Sequence, residues 1–233
     1  MKWSEPLIQA TILKRYKRFL ADIHLSDSTT ITAHVPNTGS MQSCWEPSWN
    51  CALSVSKNLT RKMPHTLELV HNGESWIGVN TGNANKLAKL WLTDGLLPEL
   101  VGYPTVVPEK KIGLSRIDFY LEGHDSLPPC YVEVKNVTLK LGGLAQFPDS
   151  VSERGQKHLK ELMEIKKSGF RAAMLFIVQR EDVSLFRPAA SIDPEYARLL
   201  KEAHNSGVEI LVYQCRMGLE ELSLGQSMPF ELN

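Results

Sequence analysis

Three side chains in the C-terminal half could hold a metal ion and move a proton. Asp118 lies in Ser115-Arg116-Ile117-Asp118-Phe119-Tyr120, and Glu133 and Lys135 lie in Cys130-Tyr131-Val132-Glu133-Val134-Lys135-Asn136. Both runs are rich in β-branched and aromatic residues, and a turn-forming stretch at 123–129 separates them, which predicts a β-hairpin. Alternation along the second strand places Glu133 and Lys135 on one face, with Val132, Val134 and Val137 assigned to the other. The partner strand can then bring Asp118 beside them. Mg²⁺ prefers oxygen ligands, usually one or two carboxylates completed by water and substrate phosphate. Asp118 and Glu133 are therefore the expected ligands of Mg²⁺ or Mn²⁺. The backbone carbonyl of Val134 is a third candidate, Glu99 a further acidic one, and Glu109 a weaker one. Lys135 is expected to orient or help deprotonate an attacking water, so the chemistry read here is metal-assisted phosphodiester hydrolysis. Glu-Val-Lys alone is common by chance. Its weight comes from the strand-loop-strand unit that carries it and from the helix that follows.

That helix opens at Ser150-Val151-Ser152-Glu153, read as a capping box, and continues through Arg154-Gly155-Gln156-Lys157-His158-Leu159. Gln156 is expected to position a water or a phosphate oxygen, and Arg154 and Lys157 to contact backbone phosphates. A solvated helix face accounts equally well for half of these positions. Gly155 inside a helix costs about 1 kcal/mol relative to alanine, so it predicts close approach of a substrate or of another element.

The elements that must position these groups divide the chain at residue 82. Residues 1–82 read as short strands at 10–15, 19–24, 30–34, 51–56, 66–71 and 76–80, separated by turn signals such as Pro36-Asn37-Thr38-Gly39 and Asn72-Gly73. Strands at this spacing predict a small barrel, with an OB-like barrel the natural candidate. Residues 83–233 begin with helical spacing at 83–92 and 96–101. The two candidate strands, the capped helix, an unbroken apolar run at 172–178, a helix opened by Asp193-Pro194 and a strand at 208–213 follow. That order implies a mixed α/β sheet with helices on its faces, and an α+β molecule overall.

Net charge is zero, with 26 Lys and Arg against 26 Asp and Glu, which by itself does not suggest a polyanion partner. The distribution does, modestly: residues 1–90 hold ten cations against six anions, and the remainder sixteen against twenty. The segment Lys14-Arg15-Tyr16-Lys17-Arg18-Phe19 interleaves cations with aromatics, and Lys57, Arg61 and Lys62 extend the basic surface. Such a face could combine phosphate contacts with base stacking, or could be a barrel core with cations outside. No stretch reaches the length of a membrane span and the N-terminus lacks an apolar signal core, so the expectation is a cytoplasmic protein with no membrane partner. Cys44, Cys51, Cys130 and Cys215 form no Cys-x-x-Cys pair and read as free thiols.

These blocks together resemble the sugar fermentation stimulation protein A (SfsA) family. The likeness rests on Arg15-Tyr16-Lys17-Arg18-Phe19, Pro36-Asn37-Thr38-Gly39, Arg116-Ile117-Asp118-Phe119, Tyr131-Val132-Glu133-Val134-Lys135, Phe147-Pro148-Asp149 and Glu153-Arg154-Gly155-Gln156-Lys157-His158-Leu159. It implies an N-terminal OB-like domain and a C-terminal restriction-endonuclease-like domain whose PD-(D/E)xK signature falls on Asp118, Glu133 and Lys135. Ile117 stands where that signature has proline. Gln156 sits where some nucleases of this fold place a glutamine. The resemblance further implies non-specific binding of DNA, with a suggested regulatory link to maltose metabolism; RNA is a second candidate substrate and partner for the site itself. A DNA-binding regulator with a silent nuclease fold is the alternative to an active enzyme.

Overall fold

The structure is a computed structural model and describes residues 1–58, 60–112 and 115–232. Five strands close the N-terminal barrel: β1 (Ile8–Tyr16), β2 (Leu20–His24), β3 (Thr30–His34), β4 (Asn50–Val55) and β5 (His65–His71). β1 pairs with both β2 and β4, β4 pairs with β5, and β3 meets β5 in parallel at His34 and Thr66. This is the OB-like barrel that the strand spacing predicts. Ile12, Ile23, Val35, Leu53, Leu67 and Val70 fill it. β6 (Trp76–Gly78) adds to β5 and hands the chain on, with Gly78 N–H donating to the Gln179 carbonyl at 2.8 Å.

The second unit holds a six-stranded sheet in the order β15-β14-β12-β9-β8-β7. Its strands are β7 (Thr105–Ile112), β8 (Ser115–Glu122), β9 (Cys130–Val137), β12 (Arg171–Val178), β14 (Glu209–Met217) and β15 (Leu222–Ser227). β12 runs parallel to β9 and β14, and the outer pairs are antiparallel. β12 explains its own apolar run. Ala173, Leu175 and Ile177 pack in one cluster with Leu87, Ala88 and Trp91 of α1 (Gly82–Thr93). Ala172, Met174, Phe176 and Val178 pack in the other, with α2 (Glu153–Lys167) and α3 (Pro194–Asn205). A central parallel strand buried on both faces has no polar side to show. Short strands β10 (Leu139–Leu141), β11 (Leu144–Phe147) and β13 (Phe186–Pro188) form a separate three-stranded sheet. Among the described residues no helix is long and apolar enough to cross a membrane, and all four cysteines are free and buried.

Three expectations need correction. The 96–101 segment makes only a single 3-10 turn, Pro98–Leu100, because Pro98 has no N–H to continue a helix. Ser152, not Ser150, caps α2, its Oγ accepting from Gly155 N–H. Val137 packs in the α2 cluster, on the face of Glu133 and Lys135, as the two-residue period of the strand requires. The opening of α3 matches its sequence signal: Asp193 accepts from Tyr196 N–H, and Pro194 takes the first helical position.

A buried ion pair fastens the barrel to the second unit. Arg180 is 1% exposed and donates to both oxygens of Asp182, to the Thr138 carbonyl and to Ser43 of the barrel. Asp182 also accepts from Lys140 at 2.7 Å and from Asn72 of the barrel at 2.9 Å. Burial favours the neutral acid, but hydrogen bonds from Arg180 and Lys140 outweigh it and hold the Asp182 carboxyl well below the usual range. A depressed folded-state pKa stabilises fully above the unfolded value, about 3.9, and the contribution fades as pH falls toward the folded one. Asp182→Asn leaves Arg180 buried and unpaired, which costs about 3–5 kcal/mol at pH 7. Thermal melts should show a deficit that narrows at pH 3, whereas an equal deficit at both pH values would contradict this account.

Candidate functional site

The strand ladder breaks at Asp118. Ile117 and Tyr120 both pack in the α2 cluster although they are three positions apart, an odd offset that regular pleating would put on opposite faces, so alternation slips between them. β7 pairs with β8 on either side but skips the Glu109–Asp118 position, and Glu109 adopts a left-handed φ of 53°. Pairing of β8 with β9 stops at Phe119 and Val132. Past that point the Asp118 carboxylate takes the place of the missing backbone partner, Oδ2 accepting from Val134 N–H at 2.8 Å. Its Oδ1 accepts from Asn85 Nδ2, in the first turn of α1, at 2.8 Å. The carbonyl of Val134 leaves the strand on the same edge as its N–H and so faces the gap beside Asp118.

Glu133 and Lys135 point toward α2. Glu133 is 2% exposed, and its Oε1 accepts from Lys135 Nζ at 2.6 Å and from His158 Nδ1. Lys135 Nζ lies 3.2 Å from that same ring nitrogen. Arg154 Nε donates to His158 Nε2 at 3.5 Å, which is consistent with a neutral imidazole carrying its proton on Nδ1, toward Glu133. Oε2 of Glu133 is buried with no hydrogen-bond partner among the described residues. The two carboxylates are driven apart electrostatically. Burial, and then the charge of Glu133, raise the Asp118 pKa. Burial would raise Glu133 too, but the hydrogen bond from His158 and the charge and hydrogen bond of Lys135 hold it below its ordinary value.

This donor set fits a hard divalent cation. An unpartnered buried carboxylate oxygen, and a second carboxylate penalised by its neighbour's charge, are both relieved by positive charge between them. Among the described residues no group of three His, Cys, Asp or Glu is arranged to hold a metal. Asp118, Glu133 and the Val134 carbonyl are the groups that could hold such an ion, leaving room for water and phosphate. Asp118, Glu109, Arg116, Arg154, Lys157 and His158 line an open cavity of about 750 Å³ beside the pair. A larger groove of about 860 Å³ between α2 and α3 contains none of the three candidate catalytic side chains. Of the three, Asp118 lines the smaller one, beside His158, the partner of Glu133.

Some expected residues do other things. Gln156 donates to both oxygens of Asp193, at 2.9 and 3.1 Å, and so ties the start of α2 to the cap of α3. His158, two positions on, is the α2 residue that reaches Glu133. Gly155 is small because of another element: an added Cβ would lie 3.0 Å from the Tyr196 ring of α3 and 2.8 Å from Ser152 Oγ. Glu99 lies beyond the far end of α1 from Asn85 and accepts from Tyr213 at 2.8 Å on the opposite sheet face to Glu133. Glu109 stays at the cavity rim, paired with Arg116 at 2.6 Å. His158 and Asn85 were not singled out from sequence. His158 could have been, because it falls in the buried stripe of Gly155, Leu159 and Leu162 at helical spacing.

The basic segment divides in the same way. Arg15 is a structural guanidinium that donates to the carbonyls of Asn37, Gly39 and Ser40 and holds their loop. Tyr16 donates to Asp22 at 2.8 Å and Lys14 pairs with the same carboxylate at 3.2 Å. Lys17, Arg18 and Phe19 remain exposed at the β1–β2 turn, with Lys17 and Arg18 at left-handed φ. Arg61 and Lys62 are exposed in the β4–β5 loop, Arg61 lying 3.4 Å from His34, and Lys57 pairs with Glu5 at 2.6 Å. These two loops are the ones that OB folds use to hold oligonucleotides.

A family model described as "Sugar fermentation stimulation protein RE domain" matches residues 82–221, and one described as "SfsA N-terminal OB domain" matches residues 13–79. A sugar fermentation stimulation protein homolog from Citrifermentans bemidjiense is 51% identical over 230 residues, covering 98% of this chain and 99% of the relative. One from Geobacter sulfurreducens is 48% identical over 225 residues, covering 96% of each. The solved structure of Pyrococcus furiosus SfsA in complex with Ca²⁺ superposes with a TM-score of 0.88 at 30% identity, covering 99% of this chain and 98% of that one. The barrel is an OB domain, and the sheet that follows has the restriction-endonuclease-like fold.

Proposed function

The chain belongs to the sugar fermentation stimulation protein family, and from that premise we propose that it binds DNA or RNA and hydrolyses phosphodiester bonds at Asp118, Glu133 and Lys135 with Mg²⁺ or Mn²⁺. The observation that carries this reading is the buried, unpartnered Oε2 of Glu133 beside the electrostatically disfavoured Asp118. When bound by Asp118, Glu133 and the Val134 carbonyl, the metal ion supplies Lewis-acid stabilisation of charge on the phosphate. Lys135 hydrogen-bonds and orients the attacking water. His158 holds the Glu133 carboxylate in place through its Nδ1 proton. Arg154 and Lys157, at the cavity rim, neutralise flanking phosphates. Residues 1–82 grip the strand through Lys17, Arg18, Phe19, Arg61 and Lys62, while residues 83–233 carry the chemistry. The Pyrococcus furiosus relative's Ca²⁺ complex supports an oxygen-donor site, since Ca²⁺ and Mg²⁺ both choose oxygen.

The test is cleavage of circular and linear, single- and double-stranded DNA, and of RNA, with Mg²⁺, Mn²⁺ or EDTA. Cutting should require the metal and fall about a hundredfold or more in Lys135→Ala. Salt-sensitive binding with no cutting of any substrate would replace the enzyme by a binding regulator with a silent nuclease fold.

A further inference from the structure

Between the barrel and the second unit lies a cavity of about 390 Å³ that the chemistry above does not use. Arg18 and Asn37 line it from the barrel, Asn136 from β9 directly after Lys135, and Asp149, Ser150 and Ser152 from the approach to α2. Asn37 is only 5% exposed. Its Oδ1 accepts from Gly39 N–H and its carbonyl accepts from Arg15, both at 2.9 Å. Its Nδ2 has no hydrogen-bond partner among the described residues, so a largely buried side chain, fixed through its oxygen, offers a free donor at the cavity wall. The N–H groups of Glu153 and Arg154 open α2 on the same side and likewise have no partner among the described residues, where the helix dipole favours an anion. Asp149 is the only acid in the lining. It is turned against Gly39, where an added Cβ would meet its Oδ2 at 2.3 Å, accepts from Ser40 at 3.3 Å, and is balanced by the Arg15 charge.

We infer that this cavity binds one backbone phosphate of the nucleic-acid strand through Arg18, Asn37 Nδ2 and the first N–H groups of α2. It thereby sets the path of the strand from the barrel turn to Asp118. Ser152 at this cavity and His158 at the next are six residues apart, about 9 Å along α2, so one strand spans both. The inference rests on the nucleic-acid reading above but not on turnover.

Asn37→Asp is the discriminating variant, because it keeps the oxygen that caps Gly39 and replaces the free donor by an anionic acceptor. Affinity for a fluorescein-labelled single-stranded DNA, read by anisotropy in EDTA across a salt series, should fall about tenfold in Asn37→Asp. Arg18→Gln should weaken binding and flatten the slope of log K against log salt by about 0.7. The double variant should lose less than the sum, because both residues address one phosphate. Unchanged affinity and slope in both single variants would overturn the site. Mg²⁺-dependent cleavage by the same preparations separates the two readings. Intact cutting with unchanged binding removes only the phosphate site, while weakened binding without any parental cutting removes only the hydrolysis. A parent protein that binds no oligonucleotide removes both.

Discussion

Asp118→Asn should bind DNA as the parent does, cleave it about a thousandfold more slowly, and melt at a higher temperature than the metal-free parent. Asparagine offers an oxygen to Val134 N–H and an N–H donor to Asn85, whose amide need only flip to present its oxygen in place of Nδ2, so the local geometry that the Asp118 carboxylate maintains can survive. What disappears is a charge. Losing one preorganised electrostatic stabiliser of a transition state costs about 10²–10³ in rate, and here the same group is also one of the two carboxylates proposed to hold the cation. The stability gain follows from the raised pKa of Asp118, caused by burial and by the charge of Glu133. A carboxyl whose folded pKa lies above its unfolded value carries no penalty below the unfolded one, about 3.9, and a full penalty above the folded one. The advantage of the Asp118→Asn variant over the parent should therefore be present at pH 8 and shrink in acid. Mg²⁺ should raise the melting temperature of the parent, because a ligand of the native state alone stabilises it, and should barely move the variant. Melts with Mg²⁺ and with EDTA at both pH values decide the matter. A variant that melts lower yet keeps the full Mg²⁺ shift would show that Asp118 is structural.

The parts of this architecture written in alternation were legible, and the parts written in irregularity were not. β8 and β9 read as a hairpin from their β-branched and aromatic runs, and the barrel from strand spacing. β7 escaped notice because Pro108 and the charged run Glu109-Lys110-Lys111 hide its pleat. Both suit an edge strand, which has only one neighbour to satisfy. The slip at Asp118 has no sequence signature, although it brings a β8 carboxylate to a β9 amide. The basic segment at 14–19 was visible as charge, but charge alone does not say which cations are spent. Arg15 is consumed by three loop carbonyls, while Lys17 and Arg18 stay exposed because the tight turn throws them outward. Gln156 and His158 differ by two positions, about 200° around the helix, so choosing between them requires knowing which face meets the sheet. The buried stripe through Gly155, Leu159 and Leu162 answers that question in favour of His158.

That choice sets the second large effect. His158→Ala should lower the cleavage rate about a hundredfold, while Gln156→Ala should leave the rate near that of the parent and cost about 1.5–3 kcal/mol of stability, the range for a lost hydrogen bond to a charged group. Gln156 binds a carboxylate that already caps α3, so its removal loosens the junction of two helices without touching Glu133. His158 acts through Glu133. Without its Nδ1 proton the carboxylate keeps Lys135 but loses one of the hydrogen bonds that hold its pKa down against burial. The acid limb of the pH–rate profile should then move to higher pH, because more alkaline solution is needed to keep Glu133 ionised. The loss should fall on kcat more than on KM, since neither His158 nor Glu133 is a binding contact for the bulk of the strand. A purely packing role for His158 would lower stability without moving that limb. If Gln156→Ala moved the limb instead, the water-positioning role that the sequence suggests for Gln156 would be restored, and α2 would have to turn relative to the sheet when substrate binds.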